Sequence, residues 1–178
     1  MAVFREIAAA FRRPGVRAWI APGALIAAAF AYFNYVSWTQ YASNHFFLVD
    51  IGVNDLAISG TLRGEFFRSP IGDWPYFAVH FKPILLLFLP LYVFFDHPMT
   101  LAAGYNLALA GAAAALWALA RERTGDARLA LAFAAAWLFS HWTLSLHLAL
   151  HPESLAMPGF FLLFLTQGKK RAPLYWAA

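Results

Sequence analysis

A long apolar run near the amino terminus, residues 19–38, most constrains the fold of this chain. At a rise of about 1.5 Å per residue, a helix of this length reaches roughly 30 Å, the hydrocarbon thickness of a bilayer. The far end of the run has no small-residue cleavage site, and the run exceeds the apolar core of a secretory signal. Because Trp19 and Trp38 stand where interfacial aromatics occur, the run predicts an uncleaved membrane span.

The rest of the chain has a similar composition. Of the 178 residues, 62% are hydrophobic and 12% are charged, whereas a soluble domain carries about 25% charged residues. The chain has no cysteine, which excludes a disulfide framework, a thiolate metal site and a thiol nucleophile. The net charge of +4 comes from short basic clusters between apolar runs. This pattern predicts membrane orientation rather than a nucleic-acid partner.

The basic residues also predict a topology. If residues 83–95 spanned the membrane, nine basic residues would lie outside and four inside; if they form a half-embedded helix, ten lie inside and three outside. The positive-inside bias favours the second arrangement, with the N-terminus in the cytoplasm. A run of this length is also more typical of an interfacial or re-entrant segment than of a span.

The predicted fold class is therefore an all-α integral membrane protein with about four transmembrane helices and half-embedded interfacial helices in the first outer loop. We predict a single membrane domain over residues 1–178. Its parts are a cytoplasmic basic segment (1–18), an outer loop (39–98) and four spans (19–38, 99–120, 129–150 and 152–167). Residues 172–178 resemble the beginning of another apolar segment, which predicts that the chain is a fragment.

The stretch 44–67, directly after the first span, carries two candidate catalytic carboxylates, Asp50 and Asp55. Asp50 could act as a general base, because a partly desolvated carboxylate near a hydroxyl can accept its proton. The alternative is a loop aspartate in an Asx turn, with Gly52 two residues on. Asn54 is predicted to cap a helix, which would put Asp55 in the first turn as a favourable dipole charge.

Three cations on the same predicted side, Arg68, His80 and Lys82, are candidate contacts for a lipid phosphate. The alternative is that they extend toward headgroups without binding a specific ligand. In this topology all six histidines lie in or near the outer half of the membrane: His45, His80, His97, His141, His147 and His151.

His151 and Glu153 are further substrate-binding candidates, although Pro152 and Glu153 could simply begin a helix. His147 and His151, at helical spacing, form a candidate metal set with Glu153. A divalent ion would assist departure of a phosphate; no other cofactor is indicated. His141 lies within an apolar run and is expected to face the bundle interior.

The small residues of the run 99–120 predict close helix packing rather than a cofactor site. They are Gly104, Ala108, Gly111 and Ala112.

Four sequence blocks carry a resemblance to a known family. They are Phe-Leu-Val-Asp-Ile-Gly-Val-Asn-Asp-Leu (47–56), Arg-Gly-Glu-Phe-Phe (63–67), His-Phe-Lys-Pro-Ile-Leu-Leu-Leu-Phe-Leu-Pro-Leu-Tyr (80–92) and Leu-His-Pro-Glu-Ser-Leu-Ala (150–156). In this order, over about residues 20–170, they resemble a bacterial multi-pass membrane family catalogued as domain of unknown function 2079. That family is itself similar to the GT-C glycosyltransferases, of which this chain would be an N-terminal part.

The resemblance implies an enzyme of the bacterial inner membrane that takes a sugar from a polyprenyl-phosphate donor at the outer face. Asp50 stands where GT-C proteins place an acidic residue in the first outer loop. The chain departs from the family pattern after Asp55, which is followed by Leu56 where the family usually has Asp-Gln, and relatives run further toward the C-terminus. The alternative function is a non-enzymatic integral membrane scaffold, or a lipid- or partner-binding subunit. Membrane lipid and partner membrane subunits are the other candidate partners.

Overall fold

The computed structural model describes residues 15–45, 48–72, 74–79 and 81–167. The basic segment before Gly15, His80 and the basic cluster with the apolar residues after position 167 lie outside the described residues. The described chain is helical, with one isolated bridge between Arg68 and Pro75. The predicted all-α membrane architecture is confirmed at this level.

Six longer helices form the frame of the described residues. They are α1 (Ile20–Ala42), α2 (Leu48–Leu62), α3 (Pro98–Thr124), α4 (Ala127–Leu138), α5 (His141–Leu148) and α6 (Met157–Gln167). Shorter helical segments lie at Val16–Trp19, Tyr76–Val79, Pro83–Phe88, Leu89–Tyr92 and Pro152–Ala156.

Helices α1 and α3 are each long and apolar enough to cross a membrane, and they run antiparallel. At one end, the rings of Trp19 and Trp117 are 4.2 Å apart. At the other end, the rings of Tyr41 and His97 are 4.9 Å apart. The apolar run at 19–38 therefore forms a membrane-length helix, and this helix continues to Ala42.

A two-residue turn connects α3 to α4. Gly125 takes a left-handed conformation, with φ at 71°, and ends α3, which is a role that glycine fills without steric cost. The Asp126 side chain then accepts a hydrogen bond from the backbone N–H of Arg128 at 2.7 Å and begins α4. This turn holds α4 antiparallel to α3.

Helices α4 and α5 are bent by 45° relative to each other and together are apolar enough for one further span. The Ser140 hydroxyl accepts a hydrogen bond from the N–H of Thr143 at 3.1 Å, so it caps a new helix instead of continuing the old one. The run predicted as one span at 129–150 is therefore a bent helix pair.

Two apolar segments, Pro83–Tyr92 and Pro152–Leu165, are shorter than the length expected of a span. By length and composition, the described residues contain two helices that could cross a membrane, or three with the bent pair. The half-embedded placement of 83–95 and the fourth span at 152–167 stay predictions.

Helix α3 is the centre of the packing, and its glycines permit close contacts. A Cβ atom added at Gly104 would overlap the ring of Phe88, which comes from the Pro83–Phe88 segment. At Gly111 a Cβ would meet Pro158 Cγ at 3.8 Å, an ordinary contact. The small residues of this run therefore serve helix packing, as the sequence predicts.

Helix α2 begins six residues before the predicted cap, at Leu48, so the prediction that Asn54 is an N-cap is wrong. Asn54 lies in the second turn and is 2% exposed. Its amide binds tyrosine hydroxyls from other elements, so tertiary contacts rather than capping explain an asparagine here. The helix ends before Gly64, whose φ is 92°.

Candidate functional site

The two ends of the helix bundle differ in their charged residues. The end where α1 finishes and α3 begins, called the polar end below, holds both acids and bases: His45, Asp55, Arg63, Lys82, Asp96, His97, His151 and Glu153. The basic end holds arginines with acids beside them: Arg17, Arg121, Glu122, Arg123, Asp126 and Arg128. A hydrogen bond of 3.2 Å from Arg123 to the carbonyl of Phe164 fixes the last turns of α6 at the basic end.

Asp55 is a partly buried carboxyl at the polar end. Its Oδ1 accepts a hydrogen bond from the hydroxyl of Tyr92 at 2.7 Å. Burial raises the pKa of Asp55 above its usual value, and the nearby charge of Asp96 raises it further. The Tyr92 hydrogen bond and the charges of His97 and Arg63 act in the opposite direction without cancelling the shift.

Tyr92 is suited to remain the donor in this pair. Its ring is 1% exposed, and burial followed by the hydrogen bond to Asp55 raises the pKa of its hydroxyl well above the usual value. The hydroxyl therefore stays protonated at any physiological pH. Tyr92 is not among the site residues predicted from the sequence; the signal that points to it is a tyrosine inside the apolar segment 83–95.

Neither aspartate has the secondary-structure position that the sequence predicts. Asp50, expected in a loop or an Asx turn, lies in the first turn of α2, whereas Asp55, expected to open the helix, lies in its second turn. The side chain of Asp50 lies outside the part that the structure describes. Asp55 is therefore held by a tertiary hydrogen bond and not by the helix dipole.

A buried amide and two tyrosines set the position of α2. The hydroxyl of Tyr76 donates a hydrogen bond to Asn54 Oδ1, and Asn54 Nδ2 donates to the hydroxyl of Tyr105 at 3.4 Å. These three side chains come from the segment Tyr76–Val79, α2 and α3, and all are buried. Asn54 precedes Asp55, so the same contacts fix the helix turn that presents the carboxyl.

An open cleft of about 430 Å³ lies at the C-terminal half of α2. Its lining combines two cations, one carboxylate and a turn: Leu56, Gly60, Arg63, Glu65, Arg68, Ser69, Pro70, Ile71 and Gly72. Arg63 Nη2 donates to Ser59 Oγ at 3.0 Å, and its Nη1 is 3.7 Å from Asp96 Oδ2. Arg63 therefore lines the cleft and also contributes to the field at Asp55.

The structure brings together three other candidates, Lys82, His151 and Glu153. Lys82 Nζ lies 3.6 Å from one carboxylate oxygen of Glu153, and His151 Nδ1 lies 3.4 Å from the other. Glu153, in the connection between α5 and α6, therefore contacts Lys82, which directly precedes the segment Pro83–Phe88. Pro152 and Glu153 do begin a short helical turn, Pro152–Ala156, as one alternative predicted. Glu153 makes its ion pairs from this turn.

The candidate metal set is not assembled. His147 is 2% exposed and its Nδ1 lies 2.9 Å from Asn106 Oδ1, away from the His151 and Glu153 pair. Within the residues that the structure describes, no group of three or more metal-ligating side chains lies close enough to hold a metal ion. His141, expected in the bundle interior, is exposed at the first position of α5, because the chain bends there.

A comparison with protein-family models finds a family that covers this region and most of the chain. Residues 48–178 match the family described as predicted membrane protein (DUF2079). The match begins at the first residue of α2, so it contains the cleft, both aspartates and the Glu153 connection, while α1 precedes it. Neither the curated proteins nor the solved structures contain a match.

Proposed function

Because this chain belongs to the DUF2079 family of membrane proteins, we propose that it is a GT-C-like glycosyltransferase, or the N-terminal catalytic half of one. It transfers a sugar from a polyprenyl-phosphate donor to a hydroxyl acceptor. The chain lies in the bacterial inner membrane with its N-terminus in the cytoplasm, and its polar end faces the outer side. Membrane lipid and partner membrane subunits complete its surroundings.

One observation carries this proposal: a carboxyl with a raised pKa lies next to an arginine-lined cleft. Arg63 directly follows the last residue of α2 and is close enough to Asp55 to affect the pKa of its carboxyl. The cleft that Arg63 lines with Arg68 is open. A cationic cleft suits a phosphate, and a partly desolvated carboxylate suits a proton acceptor.

The reaction assigns separate tasks to these groups. The base takes the proton of the acceptor hydroxyl as its oxygen attacks the anomeric carbon of the sugar. The bond between that carbon and the phosphate oxygen breaks, and polyprenyl phosphate leaves with the bonding electron pair. Arg63 and Arg68 stabilise the growing negative charge on the phosphate, because charge-assisted hydrogen bonds to it strengthen as it departs.

Two carboxylates compete for the role of base. Asp50 has the position where the resemblance implies a catalytic carboxylate. Asp55 has the partly buried environment that favours a base. Lys82, His80, His151 and Glu153 are assigned to the substrate, with Lys82 and His80 toward the phosphate. The ion pair of Lys82 with Glu153 would hold the lysine in place between turnovers.

The decisive experiment compares carboxamide variants in membranes that contain the chain. Asp50→Asn and Asp55→Asn are each assayed for sugar transfer from a polyprenyl-phosphate sugar. Loss of the base is expected to reduce transfer about 10²- to 10⁴-fold. Asp126→Asn is the matched control: it makes the same change at the basic end and retains helix capping, since asparagine caps as well as aspartate.

The outcomes separate the candidate functions. If both Asp50→Asn and Asp55→Asn keep full activity, neither carboxylate is the base and the mechanism is wrong. If the unmodified chain transfers sugar from none of the donors offered, the alternative of a non-enzymatic scaffold or lipid-binding subunit is favoured. Arg68→Gln should raise KM for the donor, whereas Arg128→Gln at the basic end should leave it unchanged.

A further inference from the structure

Polar side chains from three helices meet inside the bundle and take no part in the proposed reaction. Asn34 and Ser37 come from α1, Asn106 from α3 and His147 from α5. Ser37 and Asn106 are fully buried and His147 is 2% exposed. A buried polar cluster of this kind is a candidate site, because each polar group within a membrane bundle must find a partner.

The backbone carbonyl of Phe30 fixes the direction of the hydrogen bonds in this cluster. The carbonyl of Phe30 only accepts, so the atom of Asn34 that lies 2.8 Å from it is the amide nitrogen. The amide oxygen of Asn34 is then the atom 3.5 Å from Asn106. Asn106 must direct its own NH₂ group there and toward Ser37 Oγ, at 3.1 Å.

This orientation decides the protonation of His147. With its NH₂ group committed to α1, Asn106 presents its Oδ1 to His147 Nδ1 at 2.9 Å. An amide oxygen cannot donate, so the hydrogen lies on Nδ1. In the neutral ring the other nitrogen, Nε2, then carries a lone pair and can only accept.

The Nε2 atom is buried and has no hydrogen-bond partner in the part of the chain that the structure describes. Phe33 stacks on the imidazole with ring centroids 4.4 Å apart, so one face of the ring is closed by an apolar side chain. Buried acceptors are nearly always paired, because an unpaired one keeps its full desolvation penalty.

We propose that His147 Nε2 is an acceptor site inside the bundle for a single O–H donor, which is either a water molecule or a sugar hydroxyl. Asn106 acts as the positioning residue, since it fixes the tautomer that leaves Nε2 unprotonated. A hydroxyl satisfies the lone pair without bringing a charge into the bundle. The water case is independent of the proposed function, whereas the sugar case rests on it.

The test uses the full chain, labelled with ¹⁵N-histidine, in lipid nanodiscs. His147→Asn identifies the His147 signals by their loss, and it keeps an amide donor near the Nδ1 position. We expect Nδ1 to be protonated and Nε2 to resonate upfield of an unbonded imidazole nitrogen. An upfield signal before any addition indicates water; one that appears only after a polyprenyl-phosphate sugar is added indicates a sugar hydroxyl.

Other outcomes would overturn the proposal. A proton on Nε2 contradicts the derived tautomer, and an unbonded Nε2 signal both with and without the sugar contradicts the acceptor site. If the chain shows no sugar transfer but its Nε2 signal is upfield before the polyprenyl-phosphate sugar is added, the proposed function is contradicted and the acceptor site is supported.

Two variants test the positioning role separately. Asn34→Ala removes the oxygen that orients Asn106, and Ser37 can both donate and accept, so Asn106 is free to flip and a mixture of His147 tautomers is expected. Ser37→Ala keeps the anchor on Phe30 and should leave the tautomer unchanged. If Asn34→Ala also leaves a single Nδ1–H tautomer, the relay through Asn106 is wrong.

Discussion

The contribution of the Asp55 side chain to the stability of the fold depends on its charge. Its carboxyl is partly withdrawn from water beside a second carboxyl, Asp96, and a buried hydroxyl compensates only in part. The folded-state pKa therefore lies above the usual value of 3.8. The contribution of Asp55 to stability is complete below that usual value and is lost as the pH rises through the folded-state pKa.

Asp55→Asn should consequently stabilise the protein at neutral pH. The amide resembles the protonated carboxyl and can still accept from Tyr92, while it carries no charge to desolvate. In a pH series of thermal unfolding in detergent, the variant should have the higher Tm at neutral pH, and the difference should shrink toward acid. A difference that is independent of pH would contradict the assigned cause.

Tyr92→Phe should destabilise the protein, and the size of this effect should also depend on pH. It removes the donor to Asp55, and hydrogen bonds to charged groups are worth about 1.5–3 kcal/mol against about 0.5–1.5 kcal/mol for neutral ones. The loss of stability should therefore be larger at neutral pH than in acid. Tyr32→Phe, on the exposed surface of α1, is the control and should change the Tm little at either pH.

The packing of α3 depends more on Gly104 than on Gly111. Gly104→Ala should destabilise the protein by about 1–3 kcal/mol, because its Cβ would overlap the buried Phe88 ring. Gly111→Ala makes the same change where there is room and should gain up to about 1 kcal/mol of helix propensity. Thermal unfolding reports both, at roughly 2–4 °C per kcal/mol; equal shifts would refute the packing role of Gly104.

The helices that were predictable from sequence are those set by continuous apolar composition. The runs 19–38 and 99–120 correspond closely to α1 and α3, because length and hydropathy alone decide whether a segment fits a bilayer. The run 129–150, predicted as one span, bends near Ser140, where the serine hydroxyl caps α5; whether the bent pair forms one span stays a prediction. Composition does not reveal a local hydrogen bond of this kind.

The candidate site was less predictable than the spans. Asn54 is a good N-cap by residue type, and only the buried hydroxyls of Tyr76 and Tyr105, 22 and 51 residues away, explain its place inside α2. Glu153 and Lys82 are likewise brought together across the sequence. The residue types of the polar end could be read from sequence, but their pairing depends on tertiary contacts.

For the whole molecule, the proposed membrane orientation yields the sharpest prediction. If the basic end faces the cytoplasm, as proposed, the chain should expose Arg128→Cys only to the inside and His45→Cys only to the outside. The chain has no cysteine of its own, so labelling with an impermeant maleimide has no background. In intact spheroplasts His45→Cys should react at once, and Arg128→Cys only after the membrane is opened; the reverse pattern would invert the topology.

The two-residue turn of Gly125 and Asp126 has a consequence for biogenesis. The three steps of the chain from Thr124 to Ala127 span at most about 11 Å, so the end of α3 and the start of α4 always stay close together. The loop-closure entropy of pairing them is correspondingly small. We therefore expect α3 and α4 to enter the membrane together as a helical hairpin.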